Sequence, residues 1–299
     1  MVHAKIFVTG AESFVGRALQ TACADGDAAF SGVDLAPSSH PDVSVGDILD
    51  TNLADAIPTH TDTVVHLAAL SRDADCKGRL AECLRLNVMG TLNVVHAARA
   101  RGVRQVIFAS SEWVYGNGPF PTARTEESPI DIGALTSEYA LSKAMAEAAL
   151  RQETAAHGGD TTVLRFGIIY GPRPSNWSAV EALAHAVGTQ DEVSVGALAT
   201  ARRFIHVDDI ARGILAALGR TGFEVFNVQG PTLTSLGDVI AGASAQFGRA
   251  PRIVESNSAA PSIRNIEATR FTEATGWRPT ITLADGLASL GSIVTARAA

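Results

Sequence analysis

Residues 5–16, KIFVTGAESFVG, run from a short β-rich segment straight into a helical pattern through a turn bracketed by Gly10 and Gly16. A strand that passes so abruptly into a helix needs neighbours on both sides of it, because the helix must fold back over a sheet. The chain then supplies those neighbours. AAFSGVD, TVVHLAA, QVIFAS and TTVLRFGIIY are apolar runs of buried-strand type. Helical stretches separate them at 14–24, 81–101 and 135–157, with Gly102 as a C-cap after the second and Gly158 and Gly159 ending the third. The alternation predicts an α/β fold: a doubly wound parallel sheet with helices on both faces.

The second half is less regular. Helices are expected at 178–187, 208–218 and 233–247, and strands at RRFIHV and EVFNV. The stretch 116–133 is rich in Pro, Gly and Thr and reads as a loop crossing a substrate cleft. No clean linker is visible. The expected organisation is a nucleotide-binding unit over 1–166, to which 204–229 returns, interwoven with a smaller C-terminal substrate lobe from 167–203 and 230–299.

A net charge of -7 with no basic block argues against nucleic acid as a main partner. Cys23, Cys76 and Cys83 match no zinc spacing and read as reduced thiols of a cytoplasmic protein. No run of about 18 apolar residues is present, so no membrane span is expected, and the N-terminus reads as a first strand rather than a signal peptide.

The turn after the first strand has the form that turns backbone N–H groups and a helix N-terminus toward a pyrophosphate, although Ser13 stands where a middle glycine is usual. Asp34 ends the second strand, about 20 residues on, where a carboxylate can bind the adenosine ribose hydroxyls. No lysine or arginine follows closely to hold a 2′-phosphate, which favours NAD over NADP. Asp47, in VGDILD, is placed either to meet the adenine amine or to cap a helix.

Tyr139 and Lys143, in SEYALSKAMAE, are four residues apart and share one helix face. A nearby ammonium stabilises a phenolate, so such a pair can move a proton on and off a substrate oxygen.

Together these segments resemble the extended short-chain dehydrogenase/reductase family, in its NAD-dependent epimerase/dehydratase branch, and the resemblance runs over nearly the whole chain. It rests on TGAESFVG, HLAA, NVMGTLNVVHAAR, SSEWVYG, the Tyr139/Lys143 pair, LRFGIIYGPR, RRFIHVDDIARGI, FNVQG and TGWRPTITLADGL. It implies a Rossmann fold and NAD as cofactor. Tyr139 and Lys143, with Ser111 from SSEWVYG, take the catalytic positions. The implied cofactor contacts come from Gly10, Ser13, Phe14, Val15 and Gly16 in the turn, and from Asp34, Asp47 and Ile48 near the adenosine. Leu67, Ala68 and Ala69 follow the fourth strand, and Tyr139, Lys143 and Ile169 complete the set. Asn87 is either a polar helix residue facing a backbone carbonyl or, by the resemblance, a support for the active-site lysine. Two long helices, 81–101 and 135–157, carry apolar residues on more than one face and so either pack fully inside or meet a partner subunit; the resemblance implies a homodimer through a four-helix bundle.

Three departures bear on the reaction. Dehydratases carry an acidic residue directly before VYG, where this chain has Trp113; Glu112 lies one place earlier, so a two-carboxyl elimination centre is incomplete. Ile168 stands where many nucleotide-sugar members have asparagine. Arg264 is a poor match to the arginine that grips a diphosphate, whereas Arg202 matches the family's other one. Ser111, Glu112, Trp113, Arg72 and Arg202 are the candidate substrate contacts. The expected function is NAD-dependent epimerisation of a sugar, foremost a nucleotide sugar. The alternatives are net NAD-dependent oxidation of a free sugar, sugar acid or hydroxy acid, and a non-catalytic NAD(H) sensor, against which the intact Ser111, Tyr139 and Lys143 speak.

Overall fold

The computed structural model describes residues 4–26, 28–117, 120 and 122–295. Its centre is a seven-stranded, wholly parallel sheet. The strands are β1 (Ala4–Thr9), β2 (Ala28–Asp34), β3 (Val43–Val45), β4 (Thr63–His66), β5 (Gln105–Ser111), β6 (Asp160–Phe166) and β7 (Phe223–Val228). Their order is β7-β6-β5-β4-β1-β2-β3. The order reverses between β1 and β4, and a crevice opens beyond the carboxyl ends of strands at such a point.

Side chains of each strand alternate between two cores, as the period of two requires. Ile6 and Val8 of β1 pack with Val65, Ile107 and Leu164 under α1 (Phe14–Ala24) and the helix Val207–Ala216. Phe7 points the other way, with Val64, Val106 and Phe108, under the helices Thr91–Ala100 and Glu138–His157. His66 at the end of β4 is buried between the hydroxyls of Thr9 and Thr91, at 2.7 and 2.9 Å, and burial drives its pKa down to about 3, so it is a neutral bridge.

A third core belongs to the C-terminal lobe. Helices Ala179–Thr189, Leu236–Phe247 and Leu283–Ser289 enclose Val180, Leu183, Val239, Ile240 and Leu287. The chain does not stay in that lobe. Phe271, on the helix Thr269–Thr275, packs on Phe226 of β7 with centroids 5.2 Å apart, and Trp277 packs on Phe271 at 5.3 Å. Part of the stretch expected in the smaller lobe therefore completes the core beneath the main sheet.

Several local expectations change. The helix expected at 81–101 is three pieces: Leu80–Leu84, a wide π-turn over Arg85–Gly90, and Thr91–Ala100. TTVLRFGIIY breaks after Phe166, where the Gly167 N–H bonds to the Val228 carbonyl at 3.0 Å, and Ile169–Tyr170 pairs instead with Ile205–His206. RRFIHV is accordingly two short bridging segments, not one strand. Among the described residues no helix is long and apolar enough to cross a membrane.

Candidate active site

A cleft of about 1010 Å³ lies beyond the carboxyl ends of β1, β4 and β5. Its floor is the turn after β1. Gly10 has φ +74°, and a Cβ there would come within 2.7 Å of the Ala68 backbone nitrogen, so only glycine lets β1 and the loop after β4 approach this closely. Ser13 has an ordinary φ of -64° and its hydroxyl accepts from the Gly16 N–H, capping α1. That explains why a side chain is tolerated where a glycine is usual. A Cβ on Gly16 would lie 2.4 Å from the carbonyl oxygens of both Gly10 and Ala11. Gly16 does not line the cleft; it lets the helix start close enough for Ser13, Phe14 and Val15 to do so.

At one end of the cleft Asp34 accepts the N–H groups of Glu12 and Ala36, both at 2.9 Å. Asp47 and Ile48 border the same end. The Asp47 carboxylate takes the Leu49 N–H at 2.9 Å, which closes a turn rather than capping a helix. Leu67, Ala68 and Ala69 form the middle, and Ile168 and Ile169 face them from the C-terminal side.

At the other end Ser111, Tyr139 and Lys143 come together. Ser111 ends β5 and Tyr139 opens the helix Glu138–His157, capped by Ser137. Tyr139 is 8% exposed, and burial pushes its phenol up to about 12, opposed by a hydrogen bond with Ser111. Burial lowers Lys143 to about 8. Its ammonium donates to the Ala109 carbonyl at 2.8 Å and lies 6.0 Å from the Tyr139 ring centre. The expected depression of the Tyr139 pKa by Lys143 is thus not present in this arrangement: desolvation dominates the phenol, and the ammonium is engaged by a carbonyl.

Four expected site residues lie outside the cleft lining; Gly16 is one. Asn87 is buried in the π-turn, where its amide accepts the Leu70 N–H at 2.9 Å and donates to the Leu70 carbonyl and the Ser142 hydroxyl at 3.0 and 2.9 Å. It ties the loop after β4 to the Tyr139 helix, and none of its hydrogen bonds goes to Lys143. Glu112 faces away because it opens a 3₁₀ turn, Glu112–Tyr115, in which successive residues point about 120° apart. Trp113 is turned into the cleft and Glu112 into the interior. Arg202 is directed at the Ser262 carbonyl and hydroxyl, at 2.6 and 3.1 Å. Arg72 does line the cleft, but it is held by Asp75 and by Asn176 from the opposite wall. The stretch 116–133, expected over the cleft, contributes none of its described residues to the lining; Phe120 and Arg124 bond instead to the backbone of Ile263 and Asn265.

Glu112 has an ion-pair partner, Arg264, at 3.4 Å, and that arginine also donates to the Glu112 and Gly116 carbonyls at 2.9 and 2.8 Å. With its amide oriented to satisfy both neighbours, Gln229 donates to Glu112 at 3.1 Å. Burial still pushes the Glu112 carboxyl from its ordinary 4.5 up to about 7, offset in part by Arg264 and Arg202. Between those two values the folded chain keeps a proton that the unfolded chain has lost. The stability this group contributes is full below pH 4.5 and is lost as pH rises through about 7. Glu112→Gln cannot titrate, so it should flatten the fall in Tm across that window; an unaltered Tm–pH profile would refute this account.

A family model, the NAD dependent epimerase/dehydratase family, matches residues 6–228. The chain belongs to that family. It is an enzyme of the extended short-chain dehydrogenase/reductase type, with NAD as its cofactor. UDP-glucose 4-epimerase of Yersinia pestis is 31% identical over 271 residues, 80% of this chain and 78% of that protein. dTDP-glucose 4,6-dehydratase of Streptomyces griseus is 29% identical over 308 residues, 95% and 92% of the two chains. Among solved structures, RMD from Pseudomonas aeruginosa, complexed with NADPH, superposes with a TM-score of 0.85 at 27% identity, covering 98% of this chain and 99% of that one. MoeE5, in complex with UDP-glucose and NAD, gives 0.84 at 25% identity and 99% of both chains.

The cleft of this family member fits a dinucleotide. The Gly10 cradle, the start of α1 and the Asp34 carboxylate lie in one continuous groove with Ser111 and Tyr139. Sequence reasoning missed several wall residues, Glu12, Arg17 and Arg173 among them. Glu12 and Arg17 flank the Asp34 end, and Arg173 stacks 4.5 Å over the Phe14 ring, held by the buried Glu181 at 2.7 Å. Arg173 sits inside LRFGIIYGPR, so the signal was present; its partner Glu181, eight residues on, was not predictable as one.

Proposed function

We propose that this protein is an NAD-dependent sugar epimerase, acting foremost on a nucleotide sugar. The observation that carries the reading is the composition of the reacting end of the cleft. Ser111, Tyr139 and Lys143 converge there, while Glu112 is turned into the interior and Trp113 brings no carboxyl. A site with one proton-transfer group suits redox chemistry at a single carbon; elimination of water needs a second acid or base. The epimerase of Yersinia pestis among the relatives supports the same choice.

In this reading Tyr139 takes the proton of the substrate hydroxyl and later returns it. The Ser111 hydroxyl, at the same end of the cleft as Tyr139, holds the reacting oxygen beside the phenol. Lys143, at about 8, is mostly cationic at neutral pH, and its part in this reading is to hold the nicotinamide ribose; engaged by the Ala109 carbonyl, its ammonium does not lower the phenol in this arrangement. NAD, when bound, supplies the redox chemistry by accepting a hydride from the carbon and returning it to the other face. Asn87 acts at one remove, fixing the Tyr139 helix against the loop after β4. A homodimer through the helices that carry the exposed Met89 and Met145 belongs to the same proposal.

Two observations favour a second reading, net oxidation of a smaller sugar or sugar acid. Ile168 offers the wall no hydrogen bond, and Arg202 is committed to Ser262 rather than to the cleft. The test is turnover of UDP-sugars with the nucleotide content of the freshly purified protein. An epimerase should interconvert C-epimers with no net NADH and retain near-stoichiometric NAD(H). Stoichiometric NADH formation from a free sugar would establish the second reading and reject the first.

A further inference from the structure

At the Asp34 end of the cleft an anion already sits among donors. The Glu12 carboxylate accepts from Arg17 Nε at 3.0 Å and from the Ser38 hydroxyl. Only 10% of the Glu12 side chain is exposed, against 68% of Arg17, so the carboxylate is the inner partner of the pair. The Glu12 backbone N–H donates to Asp34, the residue placed to meet the adenosine ribose hydroxyls. Glu12, Arg17 and Asp34 all line the cleft, and Ser38 follows Asp34 on the loop out of β2. The hydrogen bond from Ser38, with the arginine beside it, keeps the Glu12 carboxyl below the usual carboxylate range and hence ionised.

NADP differs from NAD by one phosphate on that ribose, and an enzyme that accepts it needs a cation and hydroxyl donors there. This chain owns both, in Arg17 and Ser38, but both are bonded to its own carboxylate. We propose that Glu12 sits in the seat of a 2′-phosphate, consuming its donors and repelling its charge, and thereby sets the selectivity of this enzyme for NAD over NADP. Asp34 alone would discourage the phosphate by charge; Glu12 removes the means of binding it. The fold does not itself forbid the larger nucleotide, since RMD was solved with NADPH. The proposal concerns the cofactor end of the cleft and is independent of which sugar occupies the other.

The experiment is a direct binding titration of NADH and NADPH, followed by reduced-nicotinamide fluorescence, with no substrate present. Freeing the two donors in Glu12→Ala should lower the ratio of the NADPH to the NADH dissociation constant by about tenfold or more, the scale of one charge-assisted contact. Adding Arg17→Ala to that variant should restore most of the ratio. Glu12→Gln keeps the shape and loses the charge, and should shift the ratio in the same direction by less. The NADH titration reports in each case whether the site is folded. A ratio unchanged in both single variants overturns the proposal, as does a gain in Glu12→Ala that survives removal of Arg17.

Discussion

Tyr139→Phe is expected to lower kcat by about 10²-fold or more, with the protein still loading NAD. The phenol is buried beside Ser111, so the substitution removes one oxygen and leaves the ring packed against Cys76 and Cys83. The loss should therefore appear in turnover and not in melting temperature or in retained nucleotide. If the variant turns over as fast as the parent, Tyr139 is not the proton-transfer group and the proposed mechanism fails. The high value of the phenol, about 12, comes from burial, with no lowering by Lys143 in this arrangement.

The second large effect lies outside the cleft. Glu147, one helical turn beyond Lys143, forms a two-pronged ion pair with Arg165 of β6, with bonds of 2.7 and 3.1 Å, and takes the Ser110 hydroxyl of β5 as well. Arg165 in turn donates to the Tyr115 hydroxyl, which donates to Asn227 of β7, both at 2.8 Å. The ionic side chains are only 6% and 8% exposed, so solvent screens them little. Glu147→Ala leaves a buried guanidinium without its counter-charge and should cost about 3–5 kcal/mol of stability. A urea titration measures it. Replacing both ions together, as Glu147→Leu with Arg165→Met, should recover much of that loss, because the desolvation of both ions is relieved at once. A single variant that unfolds at the parental urea midpoint would show that the pair is not under the strain of burial described here.

The parallel sheet was legible because its signal is local. Four apolar runs, each bounded by helix patterns, announce buried strands without reference to any partner. The convergence of Tyr139 with Lys143 was legible for the same reason, since four residues on a helix fix a shared face. Glu112 was not. Its direction depends on a 3₁₀ turn one residue after the strand and on Arg264, a partner 152 positions away. Arg202 looked like a cleft residue by motif, yet a bridge between Ala201 and Ile263 brings Ser262 within its reach. Asn87 does face a backbone carbonyl, that of Leu70, as one of its two readings had it; its π-turn and its bond to Ser142 were not legible. In each miss a side chain obeys a contact between segments far apart in sequence, and periodicity carries no information about such contacts.

The return of Phe271 and Trp277 beneath β7 has a consequence for how this architecture can change by recombination. A chain ended after Gln229 would keep every strand of the sheet but expose Phe226 and the underside of Gly213, where Trp277 now rests. The sheet and its helices are therefore not a contiguous cassette, and the C-terminal lobe cannot be exchanged by a single crossover. A graft of new specificity has to replace two segments, 167–203 and 230–268, and so carries four joints, leaving the helix Val207–Ala216, β7 and the helix Thr269–Thr275 with Trp277 to the original host.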